Sequence, residues 1–194
     1  MRDSIIIIVL STIALSSPLT HSSEISTPAA GQSKTARKTK VDVKYDKKRD
    51  LTTVRLEDLI LWKNPAFFEQ VTMAIAFDYP KRTIATPKSV SVRFYSATKD
   101  RTAFRNEDLV ATIDGVRLDL GKMERTGNRN LNSPGGFFFD TVRTSIPYQE
   151  FLRIAQAKQL RLLVDGDTYD LSAEQLQSLA NFLQLMQQEG QEFK

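Results

Sequence analysis

The chain has 194 residues, no cysteine, a single histidine (His21) and a formal net charge of +4. Because the histidine precedes the predicted folded body at residues 41–194, that body has neither His nor Cys. This excludes Ser-His and Cys-His nucleophile pairs, His-based acid–base catalysis and nearly all zinc, copper and haem ligation. No disulfide can form, so the stability of the body must come from burial alone.

The positive charge is concentrated near the N-terminus. Residues 1–40 hold five basic and two acidic residues, so the body keeps a balance of only +1. The basic residues cluster in SKTARKTK (33–40). The body therefore lacks the charge excess needed to hold a polyphosphate, and we expect no nucleic-acid partner.

The first 22 residues have the pattern of a secretory signal peptide. Arg2 is followed by the apolar run Ile5 to Leu15, which is too short for a membrane-spanning helix of about 20 residues. Small residues permit cleavage after Ser16 or Ser22. A buried strand or an uncleaved anchor is the alternative interpretation. We predict an exported protein, periplasmic or secreted, with no transmembrane anchor in the mature chain.

Residues 23–40 are rich in Ser, Thr, Ala, Pro and Lys and predict a flexible basic linker. Its basic end could instead touch anionic lipid or polysaccharide. From residue 41 onward, apolar and polar residues alternate with a period of two, which is typical of half-buried strands. The predicted strands are 41–46, 51–61, 70–79 and 89–97.

Two later stretches resemble each other. ATIDGVRLDL (111–120) and LLVDGDTYDL (162–171) each place Asp-Gly between strand-forming residues, which predicts a two-residue hairpin with a type I′ turn. A duplicated unit and convergence on one turn chemistry explain the likeness equally well. Between them, TGNRNLNSPGG (126–136) predicts the longest loop and FFFDTVRTSI (137–146) a strand. Phe138 is expected to lie beneath a C-terminal helix.

Two helices complete the pattern. Pro147 suits the first turn of a helix whose apolar face is formed by Tyr148, Phe151, Leu152 and Ala155. Ser172 and Gln175 form a capping box at the start of the last helix. Because strands precede helices, we predict an α+β fold. We expect a predominantly antiparallel β-sheet or sandwich with two C-terminal helices flanking a β-hairpin.

At the level of pattern, the chain resembles uncharacterised secreted bacterial proteins of this size. The similarity rests on YDKKRDLTTVRL (45–56), DGVRLDLG (114–121) and the ending from Ile146 to Leu179. It implies a single exported domain. The group has no assigned activity, so the resemblance implies no site residue.

The acidic stretch VDGDTYDLSAEQ (164–175) invites comparison with a calcium loop. An EF-hand counted from Asp165 would need oxygen ligands at positions 5 and 12, where Tyr169 and Leu176 stand. The pattern therefore favours a turn followed by a helix cap, with an irregular calcium site through Asp165, Asp167 and Asp170 as the alternative. No cofactor, metal ligand or catalytic residue is predicted.

Two features of the sequence invite comparison with enzymes. A glycosidase needs two carboxylates across a cleft, and many acidic residues are available without any evident pairing in the sequence. SATK (96–99) matches the Ser-x-x-Lys motif of penicillin-recognising acyl transferases, but the companion Ser-Asp-Asn is missing. A carboxylate-based hydrolase of envelope carbohydrate is therefore the first alternative function.

The favoured function is a non-catalytic binding or accessory protein of the cell envelope. If Val90, Val92 and Phe94 face the core, Arg93 and Tyr95 face outward. Arg101 and Arg105 complete the predicted ligand-binding set, with Lys99 and Phe104 near them; such aromatic and basic groups can hold a glycan or a peptide. The partner is expected to be an envelope glycan, peptide or protein. A structural role in an envelope assembly is the second alternative.

Overall fold

In a computed structural model, the description covers residues 41–81, 85–99, 104, 108–130 and 136–187, apart from the side chains at 58 and 128–130. All of these residues belong to one compact unit. The strands are β1 Val41–Asp46, β2 Leu51–Asn64, β3 Glu69–Pro80, β4 Ser89–Lys99, β5 Asp108–Ile113, β6 Val116–Lys122, β7 Glu124–Asn130, β8 Phe137–Pro147, β9 Leu160–Val164 and β10 Asp167–Asp170. The helices are α1 Tyr148–Ala155 and α2 Ala173–Met186.

The larger sheet has six antiparallel strands in the order β1-β2-β3-β4-β8-β7. Strands β1 to β4 form a meander, and β8 joins it through continuous pairing with β4 from Ser89–Pro147 to Lys99–Phe137. The period-two alternation has the predicted result, since Val71, Met73, Ile75 and Phe77 of β3 are all buried.

The smaller sheet combines the two predicted hairpins in the order β10-β9-β5-β6. Both Asp-Gly turns have the positive φ angles that a type I′ turn requires: Asp114 49° and Gly115 86°, and Asp165 57° and Gly166 87°. Strands β5 and β9 pair so that Ala111 lies opposite Leu162. These residues are also the first residues of the two similar stretches, so the hairpins are related by an approximate two-fold axis through this pair.

The chain passes from the smaller sheet to the larger one through Met123, which separates β6 from β7 and is buried. Just before it, Gly121 has a φ of 81° and donates its N–H to Asp119 at 2.8 Å. The loop predicted at 126–136 is shorter than expected, because residues 126–130 belong to β7; residues 131–135 lie outside the described part.

The core lies between the two sheets and the helices. A small apolar cavity of about 20 Å³ is lined by residues of both sheets and of α1, among them Ile75, Phe94, Leu109, Leu162 and Phe151. The predicted α+β class, mostly antiparallel β with two helices flanking a hairpin, is confirmed.

Helix α1 follows β8 directly. Pro147 is its N-cap, with φ −56° and ψ 143°, so the prediction that Pro147 lies within the first turn is off by one residue. Phe151, Ile154 and Ala155 are buried. Phe138 lies at the opposite end of β8, half-buried and across from Thr98, so α1 does not cover it as expected.

Helix α2 begins with the predicted capping box. The Gln175 N–H donates to Ser172 Oγ at 3.3 Å, and the Ser172 N–H donates to Gln175 Oε1 at 2.6 Å. Its buried face contains Leu179, Phe182 and Leu183. Neither described helix has the length and apolar character needed to cross a membrane.

Candidate functional site on the open face of the six-stranded sheet

The larger sheet has one face turned away from the core. Along β4, Val90, Val92 and Phe94 are buried, so Arg93 and Tyr95 point to the opposite side, where they are half-buried. Cross-strand pairing places other residues on the same side. We call this surface the open face; it comprises Arg55, Glu57, Thr72, Ala74, Ala76, Ser91, Arg93, Tyr95, Glu124, Thr141, Arg143 and Ser145.

The central row of the open face contains two arginines directly opposite each other. Arg93 of β4 pairs in register with Arg143 of β8, and Arg143 pairs with Glu124 of β7. The Arg143 guanidinium donates to Glu124 Oε2 from Nε at 3.0 Å and from Nη2 at 2.8 Å. Arg93 makes no ion pair with any described residue. Among the described residues, no carboxylate therefore neutralises the positive charge of Arg93.

A second ion pair lies on the β2 side of the open face. Arg55 donates to Glu57 at 2.9 Å. This hydrogen bond raises the pKa of the Arg55 guanidinium above its ordinary value; burial opposes the shift, and the charges of Glu57, Tyr95 and Asp42 add to it. Arg55 is therefore already engaged by a carboxylate on this side of the open face.

Small side chains surround the central residues. Arg93 is flanked on β3 by Ala74, and Tyr95 is flanked by Thr72 and Thr141 on the neighbouring strands. Arg93 and Tyr95 both remain partly exposed beside these small neighbours. A guanidinium and a phenol ring therefore lie two positions apart on the same face of β4.

The predicted site residues do not all lie together in the structure. Arg93 and Tyr95 lie together on the open face, and Lys99 is exposed at the end of β4. Arg101 and Arg105 lie outside the described residues. Phe104 is wrongly placed by the prediction, because it is only 1% exposed and belongs to the core. In the sequence, Phe104 stands among charged residues, a pattern that is typical of the surface. In the structure its side chain is part of the apolar core.

The sequence does not predict four charged residues of this site: Arg55, Glu57, Glu124 and Arg143. The outward positions of Arg55 and Arg143 could be inferred from the alternation in 51–61 and 137–146. Their grouping around Arg93 and Tyr95 could not, because it depends on the pairing of β4 with β8.

One carboxylate of the acidic stretch, Asp170, forms an ion pair with Arg161 across the β9–β10 pair. Asp170 accepts from Arg161 Nε at 2.7 Å and from Nη2 at 3.1 Å. The hydrogen bond lowers the pKa of the Asp170 carboxyl below its ordinary value; desolvation opposes the shift, and the charge of Arg161 adds to it. Within the described ranges, no three acidic or histidine side chains come together as a metal site would require.

Two clefts of the described part of the chain each contain a single carboxylate. A cleft of about 450 Å³ beside Lys158 and Arg161 has Asp170 as its one carboxylate, and a cleft of about 370 Å³ beside Arg143 has Glu124. Neither contains the two carboxylates of a glycosidase. Ser96, the serine of SATK, is buried in the middle of β4 and does not begin a helix, so the acyl-transferase pattern is wrong.

Comparison of the chain with known protein families, with curated proteins and with solved structures gave no match.

Proposed function

We propose that the protein is an exported, non-catalytic binding protein that holds acidic carbohydrate of the cell envelope on its open face. The observation that carries the proposal is Arg93, which has no acidic partner in the described part of the chain, faces Arg143 across the strand pair and lies next to Tyr95. Like charges directly opposite each other destabilise a sheet. An anionic ligand bound at Arg93 would relieve this repulsion.

The chemistry of Arg93 favours a carboxylate. A guanidinium offers two parallel N–H donors that match the two oxygens of a carboxylate, and such a charge-assisted pair is stronger than a neutral hydrogen bond. Arg55 and Arg143 are already engaged by Glu57 and Glu124. Arg93 therefore supplies the ligand contact, because the other two arginines are already bound by carboxylates.

The shape of the site favours a sugar chain. The open face is part of a broad sheet with neighbouring strands about 4.8 Å apart, so it offers a flat surface to an extended polymer. The ring of Tyr95 can contact the apolar side of a sugar ring and also has a hydroxyl group for hydrogen bonding. Thr72 and Thr141 add small polar groups beside it.

The remaining parts of the proposal rest on the sequence. The body lacks His and Cys, which favours binding over catalysis. Export rests on the signal-peptide pattern at residues 1–22. Fractionation of the native cell, followed by N-terminal sequencing of the protein, tests this part separately; a cytoplasmic protein that retains Met1 would contradict it.

The binding test uses immobilised alginate, a polyuronate, with dextran as the neutral polymer. The wild type should bind alginate in a salt-dependent manner. Loss of one charge-assisted contact in Arg93→Gln should weaken binding about tenfold. Tyr95→Ala should also weaken it. The matched control is Arg153→Gln, which changes an exposed arginine of α1 that pairs with Glu150 at 3.0 Å.

The fold should survive the key substitution. Arg93→Gln removes a like-charge contact, so we expect the unfolding temperature to stay the same or rise. Equal alginate binding by wild type and Arg93→Gln would contradict the proposal. Binding to polyglutamate without binding to alginate would replace the carbohydrate with an acidic peptide.

A further inference from the structure

The turn between β2 and β3 presents aromatic side chains to solvent. Asn64 and Glu69 form the last pair of the hairpin. Inside it, the Phe67 N–H donates to the Asn64 carbonyl at 3.3 Å, and the Ala66 N–H donates to Asn64 Oδ1 at 3.2 Å. These bonds fix the turn and leave Phe67 and Phe68 projecting from its tip.

Phe68 has an unusual backbone conformation. Its φ is 58°, in the left-handed region that favours Gly or Asn. Three of the other non-glycine residues with positive φ are aspartates, which tolerate this region. A glycine at position 68 would form the same turn without strain. Phe68 instead holds an aromatic side chain in this strained conformation. Because the ring is 81% exposed, burial does not offset the strain.

Other aromatic residues lie at the same end of the sheet. Trp62 near the end of β2 is 38% exposed and Phe67 is 54% exposed. Phe139, near the start of β8, is also exposed and contacts Phe137 with ring centroids 6.4 Å apart. Trp62 pairs with Val71 on the core face, whereas Phe139 pairs with Ala97 on the open face, so the exposed apolar surface at the β2–β3 turn is that of Trp62, Phe67 and Phe68.

Two exposed lysines of the described part of the chain lie near this surface. Lys63 and Lys99 are exposed and form no ion pair with other described residues. The nearby acid, Glu69, is half-buried and accepts the backbone N–H of Lys99 at 2.8 Å. Aromatic rings flanked by lysines suit the interface of an anionic bilayer, where the rings enter the headgroup region and the ammonium groups meet the lipid charge.

We infer that the β2–β3 turn is a membrane-contact element that inserts Trp62, Phe67 and Phe68 into the interface of an anionic lipid bilayer. Lys63 and Lys99 supply the charge complementarity. The contact is peripheral, because the element is a turn between two strands of a folded sheet. It is separate from the open face, so it does not depend on the carbohydrate proposal.

Trp62 is the only tryptophan of the chain and reports directly on this turn. The protein is purified from its native cell and mixed with phosphatidylcholine vesicles with or without phosphatidylglycerol. We expect a blue shift of the Trp62 emission and quenching by brominated acyl chains when phosphatidylglycerol is present. An apolar N-terminal segment that binds vesicles without the turn would not produce this signal.

Phe68→Gly is the decisive variant. Glycine suits the observed φ, so the unfolding temperature should stay the same or rise, while vesicle binding should weaken about tenfold. Lys63→Gln with Lys99→Gln should weaken binding mainly at low salt. The control is Val116→Ser, which changes an exposed apolar residue in the smaller sheet, with 57% of its surface accessible; it should bind vesicles like the wild type.

Three outcomes would overturn the inference: no emission shift with phosphatidylglycerol vesicles, an unchanged shift in Phe68→Gly, or equal weakening by Val116→Ser. Arg93→Gln separates the two proposals. Arg93→Gln should bind vesicles like the wild type and bind alginate about tenfold more weakly. Phe68→Gly should bind alginate like the wild type and bind vesicles about tenfold more weakly.

Discussion

Gln175 Nε2 donates a hydrogen bond of 2.6 Å to the carbonyl oxygen of Ile60, across 115 positions in the chain. The described pairing of β1 with β2 extends only as far as Leu56, so among the described strands none pairs with Ile60 on that edge of β2. The same side chain closes the capping box of α2 with Ser172. One glutamine therefore starts the last helix and satisfies part of an unpaired sheet edge.

This double role predicts a separation between two variants. Gln175→Glu keeps an acceptor for the Ser172 N–H but loses the donor to Ile60 and places a carboxylate oxygen near a carbonyl oxygen. We expect it to lower the free energy of unfolding by about 1–3 kcal/mol. Ser172→Ala removes the hydroxyl cap and should cost about 1 kcal/mol. Urea unfolding measures both, and a Gln175→Glu protein as stable as the wild type would show that the bond to Ile60 contributes nothing.

The two Asp-Gly turns should be equally sensitive to their glycines. An added Cβ at Gly115 or Gly166 would meet no atom within 4 Å, so any cost comes from the positive φ alone. We expect Gly115→Ala and Gly166→Ala each to destabilise the protein by about 1–2 kcal/mol in thermal unfolding. Gly127→Ala in β7 is the control: its added Cβ would be 3.6 Å from Thr141 Oγ1, an ordinary contact, and its φ is not left-handed. A large loss there, or none at the turns, would contradict this explanation.

The buried carboxylate of Asp140 depends on Arg125. Arg125 Nη1 lies 3.5 Å from Asp140 Oδ1, and the same guanidinium donates to the carbonyl oxygen of Phe104. Removing this cation weakens the compensation of a carboxylate that is almost fully buried, so Arg125→Met should cost roughly 3 kcal/mol. Arg143→Met breaks an exposed pair with Glu124 and should cost at most about 1 kcal/mol. Denaturant unfolding of the two variants would disprove this explanation if they lost equal stability.

The exposed pair of Arg161 and Asp170 predicts a pH dependence at the acid end. The pKa of Asp170 is lower in the folded protein than its ordinary value, so its stabilising effect is present at neutral pH, above the unfolded pKa of about 3.9. The effect is lost as the pH falls through the folded pKa, where the carboxylate takes up a proton. NMR titration of the Asp170 carboxyl should show its midpoint rising in Arg161→Gln. Because both groups are exposed, added salt should reduce the difference, and identical midpoints at low salt would contradict the prediction.

Local signals in the sequence were enough for most of the elements. The Asp-Gly turns, the capping box of Ser172 and Gln175, and the alternation in β3 and β4 depend on neighbours within a few residues, and all are found as predicted. The N-cap position of Pro147 differs by one residue because β8 continues directly into α1. The polar residues from 126 onward predict a loop, but residues 126–130 belong to the edge strand β7. An edge strand with one exposed side tolerates such polar residues.

The candidate site was only partly predictable for the same reason. Arg93 and Tyr95 follow from alternation within one strand, whereas Arg143 joins them through a strand that begins 38 residues after Lys99. Phe104 was misplaced because its burial is decided by distant partners, including the bond from Arg125 to its carbonyl. The exposure of Phe68 could not be inferred either, since a Phe-Phe pair after a turn also suits a buried strand.

Each sheet combines strands that are neighbours in the chain with one pair of distant strands, β4 with β8 in the larger sheet and β5 with β9 in the smaller one, and this has a consequence for folding. The meander from β1 to β4 joins neighbouring strands by short connections, so its pairing closes small loops. The centre of the smaller sheet, where Ala111 meets Leu162, must wait until the intervening chain has been ordered. We therefore expect the meander to form in the folding transition state and the smaller sheet to close after it. Stopped-flow measurements should find that Val54→Ala slows refolding, while Leu162→Ala chiefly speeds unfolding.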